Sequence, residues 1–157
     1  MIILRQKLFS LRSMLEDEIL LDTDIKLVKE NLGIIAQFLA RFEYFRNMQT
    51  VDYKIVFIPT NESIGEISLH DDIPEKELNI VWINVDKSQR GKHIATRVLQ
   101  KIINIFKKAK YHRITLEVPG NSPDARHIYE KLGFKKFGTI GDPSDYWGGL
   151  TQMELIL

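Results

Sequence analysis

Apolar positions recur along the chain in two periods, and these periods divide it into elements. Residues 80–85 are apolar apart from Asn84 and rich in β-branched side chains, which predicts a buried strand. Asp86, Lys87, Ser88 and Gln89 break the run, Arg90, Gly91 and Lys92 follow, and a helical period takes over. Ile94, Val98, Ile102 and Ile105 fall on one face, with Ala95, Leu99 and Phe106 beside them. That spacing makes a wide apolar stripe on an amphipathic helix, predicted to end near Lys110. The chain is organised around this unit of strand, short polar turn with a glycine, and helix.

Upstream of it the pattern is weaker. Residues 1–9 alternate enough for a first strand, and residues 10–20 suit a short helix with Leu11, Met14 and Leu15 inward. Thr23 reads as an N-cap with Asp24 in the first turn, and Val28, Leu32, Ile35, Leu39 and Phe42 recur at steps of four and three. A long surface helix to about Arg46 is the expectation, with Lys29, Glu30, Gln37, Arg41 and Glu43 on its wet face. Residues 53–58 form a strand closed by Pro59, and Asn61-Glu62 turns the chain into a hairpin partner over 62–70. Gly65 inside that partner signals a bulge or a close approach of backbones. Residues 70–77, with Asp71, Asp72, Glu75 and Glu77, read as a solvated acidic loop.

Beyond the central unit, Ile114, Leu116 and Val118 alternate with Thr115 and Glu117 in a strand stopped by Pro119-Gly120. Residues 122–132 form a short helix with Gly133 as its C-terminal cap. Residues 134–140 and 153–157 are the last strands, joined by a glycine-rich polar loop. The order implies an α/β (α+β) layer fold: a mixed, largely antiparallel, partly parallel sheet flanked by helices. With no repeat or linker in view, residues 1–157 are expected to form a single domain.

Composition narrows the class. The 157 residues suffice for one sizeable core, and a net charge of +1 gives no global attraction to nucleic acid or an anionic membrane. There is no cysteine, which excludes thiolate zinc sites and disulfides and fits a cytoplasmic location. No apolar run approaches the roughly 20 residues that span a bilayer, and Arg5 and Lys7 interrupt the early apolar run where a signal peptide would need one. His70, His93, His112 and His127 lack ligand spacing, so no metal is expected. No Gly-x-Ser-x-Gly segment offers a serine nucleophile.

Two segments carry candidate chemistry. The first backbone N–H groups of the helix at Ile94 have no partner within it, and the helix dipole adds positive character there. With Gly91 allowing close approach and Arg90 and Lys92 supplying charge, the turn suits a phosphate or pyrophosphate. Equally, Gly91 could serve the turn alone and the basic residues be solvated. The second segment is Asn121, Ala125 and Tyr129-Glu130-Lys131-Leu132-Gly133-Phe134. On a helix, Asn121, Ala125 and Tyr129 fall at steps of four and share a face. Tyr129 read alone is half-buried packing with a wet hydroxyl.

The segment Arg90-Gly91-Lys92-His93-Ile94-Ala95 resembles the acyl-CoA pyrophosphate loop of the GNAT-type N-acetyltransferases, a pattern of Arg or Gln, two residues, Gly, one residue, then Gly or Ala. Arg90 and Ala95 match, Val85 stands five residues before the Arg as in the family, and His93 departs from the usual Gly. The segment from Asn121 to Phe134 is similar to the family's second motif. The resemblance is firm from about Tyr53 onward. It implies a sheet whose central parallel strands splay apart to admit acetyl-CoA as acyl donor. It also implies cofactor binding by Ile83, Val85, Arg90, Gly91, Lys92, His93, Ile94, Ala95, Thr96, Asn121 and Tyr129. Asn121 would hold the pantetheine arm or a water, and Tyr129 would protonate the departing thiolate.

On this resemblance the acceptor would be an unidentified amine attacking the thioester directly in a ternary complex, since there is no cysteine for a covalent intermediate. A homodimer is compatible with this reading. The general base is open. Family members place a Glu on the central strand, yet residues 78–84 hold no carboxylate. Glu77 and Glu66 are the nearest acids, each also readable as a solvated strand-end charge, and a water relay held by Asn84 is the alternative. The loop from Gly141 to Gly149 combines Tyr146 and Trp147 with Asp142 and Asp145. That composition suits a cationic amine or simply an ordered surface loop. The rival to an enzyme is a non-catalytic acyl-CoA-binding module of the same fold. The missing strand Glu and His93 favour the module; the Asn121–Tyr129 segment favours the enzyme.

Overall fold

The computed structural model describes residues 18–20, 22–30 and 50–157. In chain order these form β1 (Glu18–Leu20), β2 (Ile25–Lys29), β3 (Thr50–Phe57), β4 (Glu62–Asp72), β5 (Glu77–Val85), α1 (Ile94–Lys108), β6 (Arg113–Pro119), α2 (Pro123–Lys131), β7 (Lys135–Ile140) and β8 (Leu150–Ile156). The strands join in one sheet of order β1-β2-β3-β4-β5-β6-β8-β7. Every neighbouring pair is antiparallel except β5 and β6, which α1 connects as a parallel crossover.

Alternation assigns the two faces. Leu69, Ile80, Leu116 and Met153 form one cross-strand row, and all four are buried. With Leu27, Ile55, Ile67, Leu78 and Ile114 they make the floor on which α1 lays Ile94, Val98, Leu99, Ile102 and Phe106. The predicted stripe is largely the buried one, except that Ile105 and Ala95 are only partly buried and Ile103, outside it, is buried. The other face is polar, with Lys54, Glu66 and Asn84 in one row and Asp52, Ser68 and Trp82 in the next. His70, Asn79 and Thr115 make a third.

Two bulges set the geometry of the centre. In β4 the register jumps from Ile55↔Gly65 to Val56↔Ser63, leaving Ile64 as the extra residue. A Cβ at position 65 would run into the Asn84 carbonyl, so Gly65 lets β4 hug the end of β5. In β5 the register jumps from Leu69↔Ile80 to Ser68↔Trp82, leaving Val81 extra. Parallel pairing of β5 with β6 runs from Glu77↔Arg113 to Ile80↔Leu116 and stops at that same bulge. From Val81 to Val85 the edge of β5 that faced β6 has no strand partner, and the two strands part.

The N-terminal expectations need correction. Glu18–Leu20 is a strand where a short helix over 10–20 was expected. Ile25–Lys29 is also a strand, so Thr23 caps no helix and Val28 begins no helical stripe. Ile25 and Leu27 are buried at a spacing of two, and this strand period prevails over the helical one. The remaining expectations, a strand over 1–9, the rest of the 10–20 helix and the stripe beyond Glu30, fall on or run into residues outside the described ones. Asp71 is not in a solvated loop: β4 runs to Asp72, and Asp71 is 7% exposed. Smaller differences are a helix α1 ending at Lys108 and a β8 beginning at Leu150.

Candidate active site

The turn after β5 is built to expose backbone donors. Asp86 N–H donates to the Ile64 carbonyl at 3.0 Å, which pins the turn to the β4 bulge. One 3₁₀ turn, Lys87–Gln89, follows. Gly91 then takes φ +79° and His93 takes φ +57°, two left-handed residues that swing the chain into α1. His93 is the N-cap residue; its carbonyl accepts from Arg97 N–H at 3.0 Å, while no side chain caps the helix start. The leading N–H groups of α1 therefore point out of the helix unclaimed by a capping group. A Cβ on Gly91 would meet nothing within 4 Å. Glycine is needed there for conformation, and the space over the turn is open.

Arg90 and Lys92 are both exposed. Arg90 Nε donates to the Val85 carbonyl at 3.2 Å, and Lys92 Nζ donates to Gln89 Oε1 at 2.8 Å. Neither pairs with a carboxylate among the described residues, so their charge is not cancelled. Arg97, one turn on, differs: it donates to Asp22 at 2.7 Å and to Asp24, and each partner stabilises the other's charge, lowering the Asp22 pKa. This pairing fastens the β1–β2 turn to α1 and lines a cavity of about 330 Å³ with Ile25, Thr96, Gln100, Lys101 and Asn104. The sequence offered no signal for it, because the partners are 73 and 75 residues apart.

The second segment is arranged differently from its helical reading. α2 begins at Pro123, so Asn121 lies before the helix and shares no helical face with Ala125 and Tyr129. Proline at the first helical position sets that boundary. Asn121 instead laces two loops together. Its N–H donates to the Trp147 carbonyl at 3.2 Å and its Nδ2 to the Tyr146 carbonyl at 3.0 Å. Gly120 and Gly148 are in backbone contact too close for a side chain at 120. In the sequence Pro119-Gly120 reads only as a strand stop and Gly148-Gly149 only as a turn, so neither signals this lacing.

At the other end of α2, Gly133 takes φ +97°, and its N–H and that of Phe134 donate to the Glu130 and Tyr129 carbonyls at 3.0 Å. This is a Schellman ending, and its hydrophobic contact is the Tyr129–Phe134 ring pair at 5.9 Å. The ring of Tyr129 is thereby held. Its hydroxyl has no hydrogen-bond partner among the described residues and is not sealed off from solvent. Burial of the ring pushes its pKa above the ordinary phenol value. Tyr129 is therefore a neutral, protonated donor without an acceptor among the described residues.

The loop from Gly141 to Gly149 is ordered by its own acids. Asp142 Oδ1 accepts from the N–H and hydroxyl of Ser144, both at 2.8 Å, which lowers its pKa. Asp145 Oδ1 accepts from Trp147 and Gly149 N–H groups, both at 2.9 Å. Tyr146 and Trp147 stand out as an edge-to-face pair at 5.0 Å, 84% and 55% exposed. Of the two candidate bases, Glu77 sits at the far end of β5, held by Arg113 at 3.5 Å and His112 at 3.6 Å. It lies eight residues, about 26 Å, from Val85 along the strand and is tied up in these two ion pairs. Glu66 lies beside Asn84. Among the described residues, no group of three or more His, Asp or Glu could hold a metal ion, and no helix is long and apolar enough to cross a membrane.

The parted strands, the uncapped helix start beyond them and the Asn121–Phe134 segment can be set against known proteins. Residues 33–134 match the family model described as acetyltransferase (GNAT) family. The chain belongs to the GNAT acetyltransferase family. The human protein N-acetyltransferase 8B is 27% identical over 77 residues, 48% of this chain and 34% of its own length, so the match spans about a third of that relative. The spermidine/spermine N-acetyltransferase SpeG from Vibrio cholerae, solved in complex with manganese ions, superposes with a TM-score of 0.65 at 14% identity, over 87% of this chain and 95% of that one. A GNAT-family acetyltransferase from Bacillus anthracis gives 0.57 at 21% identity, over 67% and 65%. At these identities the structural likeness speaks for the GNAT fold. The splay at Ile80↔Leu116 is the expected parting of its central strands.

Proposed function

We propose that the chain is one acyl-CoA N-acyltransferase domain that moves the acetyl group of acetyl-CoA onto an amine by direct attack. The observation that carries this reading is a coincidence of position. β5 loses its parallel partner at the Val81 bulge, and the strand that is freed runs straight into the turn whose helix start is uncapped. Unpaired strand edge suits the amide groups of a pantetheine arm, and free helix N–H groups suit a pyrophosphate. Arg90 serves twice here: Nε ties the turn to the Val85 carbonyl, and the rest of its guanidinium adds charge. Tyr129 supplies the proton for the departing thiolate. Asn121, with its amide given to the aromatic loop, acts by joining the donor side to that loop. Spermidine is the first acceptor to try, since structures of spermidine N-acetyltransferases share the fold.

A non-catalytic acyl-CoA-binding module would share the turn and the splay, and the lack of a carboxylate on residues 78–84 favours it. Release of free thiol from acetyl-CoA separates the two, with spermidine, a lysine peptide and an amino sugar as acceptors. The enzyme turns over at least one; the module binds acetyl-CoA and turns over none. Arg90→Glu tests the donor site itself. Losing a charge-assisted contact of roughly 1.5–3 kcal/mol weakens acetyl-CoA at least about tenfold by calorimetry. Unchanged affinity in a folded variant would place the donor elsewhere.

A further inference from the structure

We propose that Glu66 on β4 is the general base, taking its proton from a primary amine seated on the polar face of the sheet beside Trp82 and Asn84. This rests on the acetyltransferase reading above and supplies the group that the central strand lacks.

Register places Glu66. It is the cross-strand partner of Asn84, one residue before the end of β5 and within the segment that β6 has left. The Gly65 contact with the Asn84 carbonyl brings β4 against β5 at this level, which a side chain at 65 would prevent. Alternation puts Glu66 on the face of Ser68, away from buried Ile67, and the next row on that face ends in Trp82, 47% exposed. At the level of the parted strands this face is thus partly accessible, with Trp82 exposed, Glu66 and Asn84 half-buried and Ser68, opposite Trp82, buried.

Its neighbours on that face are committed. Lys54, directly opposite in β3, reaches Glu30 at 3.2 Å. Ser68 donates to Asp52 at 2.5 Å, and Asn79 donates to Thr115 Oγ1 at 3.0 Å. Glu66 is half-buried and, among the described residues, makes no hydrogen bond or ion pair. A part-buried carboxylate without a partner contributes little to stability and keeps its lone pairs free to accept a hydrogen bond from an amine.

In the transfer step the nitrogen lone pair forms the N–C bond to the thioester carbon, and the C–S bond breaks with its electrons left on sulfur. The nitrogen becomes acidic as its bond to carbon forms, and its proton passes to the Glu66 carboxylate. Sulfur takes the Tyr129 proton, and both side chains then exchange with water.

The acceptor panel on the wild-type protein is read first. A wild type that turns over no amine overturns the acetyltransferase reading, and the base with it. With a working acceptor, Glu66→Gln is expected to leave the acetyl-CoA dissociation constant within about twofold and to lower kcat at least about a hundredfold. Glu66→Ala should lose as much and recover at least about tenfold with added formate, a readout that a purely structural role would not move. Wild-type kcat in folded Glu66→Gln overturns the proposal, and so does folded Glu66→Ala that formate does not rescue. If the Gln variant fails to fold, Glu66→Asp takes its place. Retaining a shortened carboxylate, it should keep more activity than the alanine variant, and equal loss in both overturns the role.

Discussion

The Tyr111 hydroxyl donates to the Asp71 carboxylate at 2.6 Å, joining the end of β4 to the chain just behind α1. Tyr111 is 5% exposed, and its ring meets Phe106 of α1 edge-on at 4.8 Å. A carboxylate and a phenol thus share a buried site at the edge of the core. Burial raises the Asp71 pKa against the opposing pull of the Tyr111 bond, and burial with that same bond pushes the Tyr111 hydroxyl well above the phenol range.

These shifts make stability depend on pH. The folded pKa of Asp71 lies above its unfolded value of about 3.9, so the folded state holds the proton more tightly. The contribution of this group to stability is fully present below about pH 3.9 and is lost as pH rises through the folded pKa. Asp71→Asn keeps an acceptor for Tyr111 and removes the titration, so it should flatten that part of the stability–pH curve without destabilising the fold at pH 7. Tyr111→Phe strands the buried carboxylate and should cost about 1–3 kcal/mol or more at pH 7, and less at pH 3.5. Urea unfolding across pH checks both. A Tyr111→Phe cost that does not vary with pH would refute the charge argument.

His93 yields a second prediction, from its backbone. An L-residue in the left-handed region carries strain of roughly 1–2 kcal/mol, which glycine avoids. At φ +57°, His93→Gly should retain the turn, acetyl-CoA affinity and Tm, since relief of strain offsets the added freedom of the unfolded chain. His93→Val places a β-branched residue where it fits worst, so Tm and acetyl-CoA affinity should both fall. Calorimetry and thermal melts distinguish the pair. Loss of turnover in His93→Gly with binding intact would instead put the imidazole on the proton path.

What the sequence made legible was what local periodicity encodes. The stripe of α1, the strand from Ile80 to Val85, the Gly65 signal and the Gly133 cap all depend on residues within a turn or two of each other. Ile25 and Leu27 were misread because the helical spacing counted from Val28 overlaid a strand only five residues long. Asn121 was misread because steps of four say nothing of where a helix starts, which Pro123 decides. Partners far apart in sequence left no local trace, as with Asp71 and Tyr111, 40 residues apart, or Arg97 and its two acids. The level of Glu66 against Asn84 belongs to the same class, because a bulge sets the register.

Tyr129 supplies the last prediction. Its ring is fixed by the ending of α2 and its hydroxyl is left without a protein partner among the described residues, so Tyr129→Phe should keep fold, ring contact and acetyl-CoA affinity. The size of the catalytic loss is set by acidity. A phenol raised by burial above its ordinary pKa is a weaker acid than a thiol, so its proton passes to the sulfur uphill and the help it gives the leaving group is modest. The drop in kcat should therefore be about 10- to 100-fold, at the low end for general acids, with the acceptor KM little changed. Because burial raises the phenol pKa, Tyr129 stays protonated through the neutral range, and its ionisation should not pull kcat down there. Steady-state kinetics from about pH 6 to about pH 10 on both proteins would check this. A folded Tyr129→Phe with wild-type kcat removes the general acid, and one whose chief defect is a lowered Tm assigns the residue to packing.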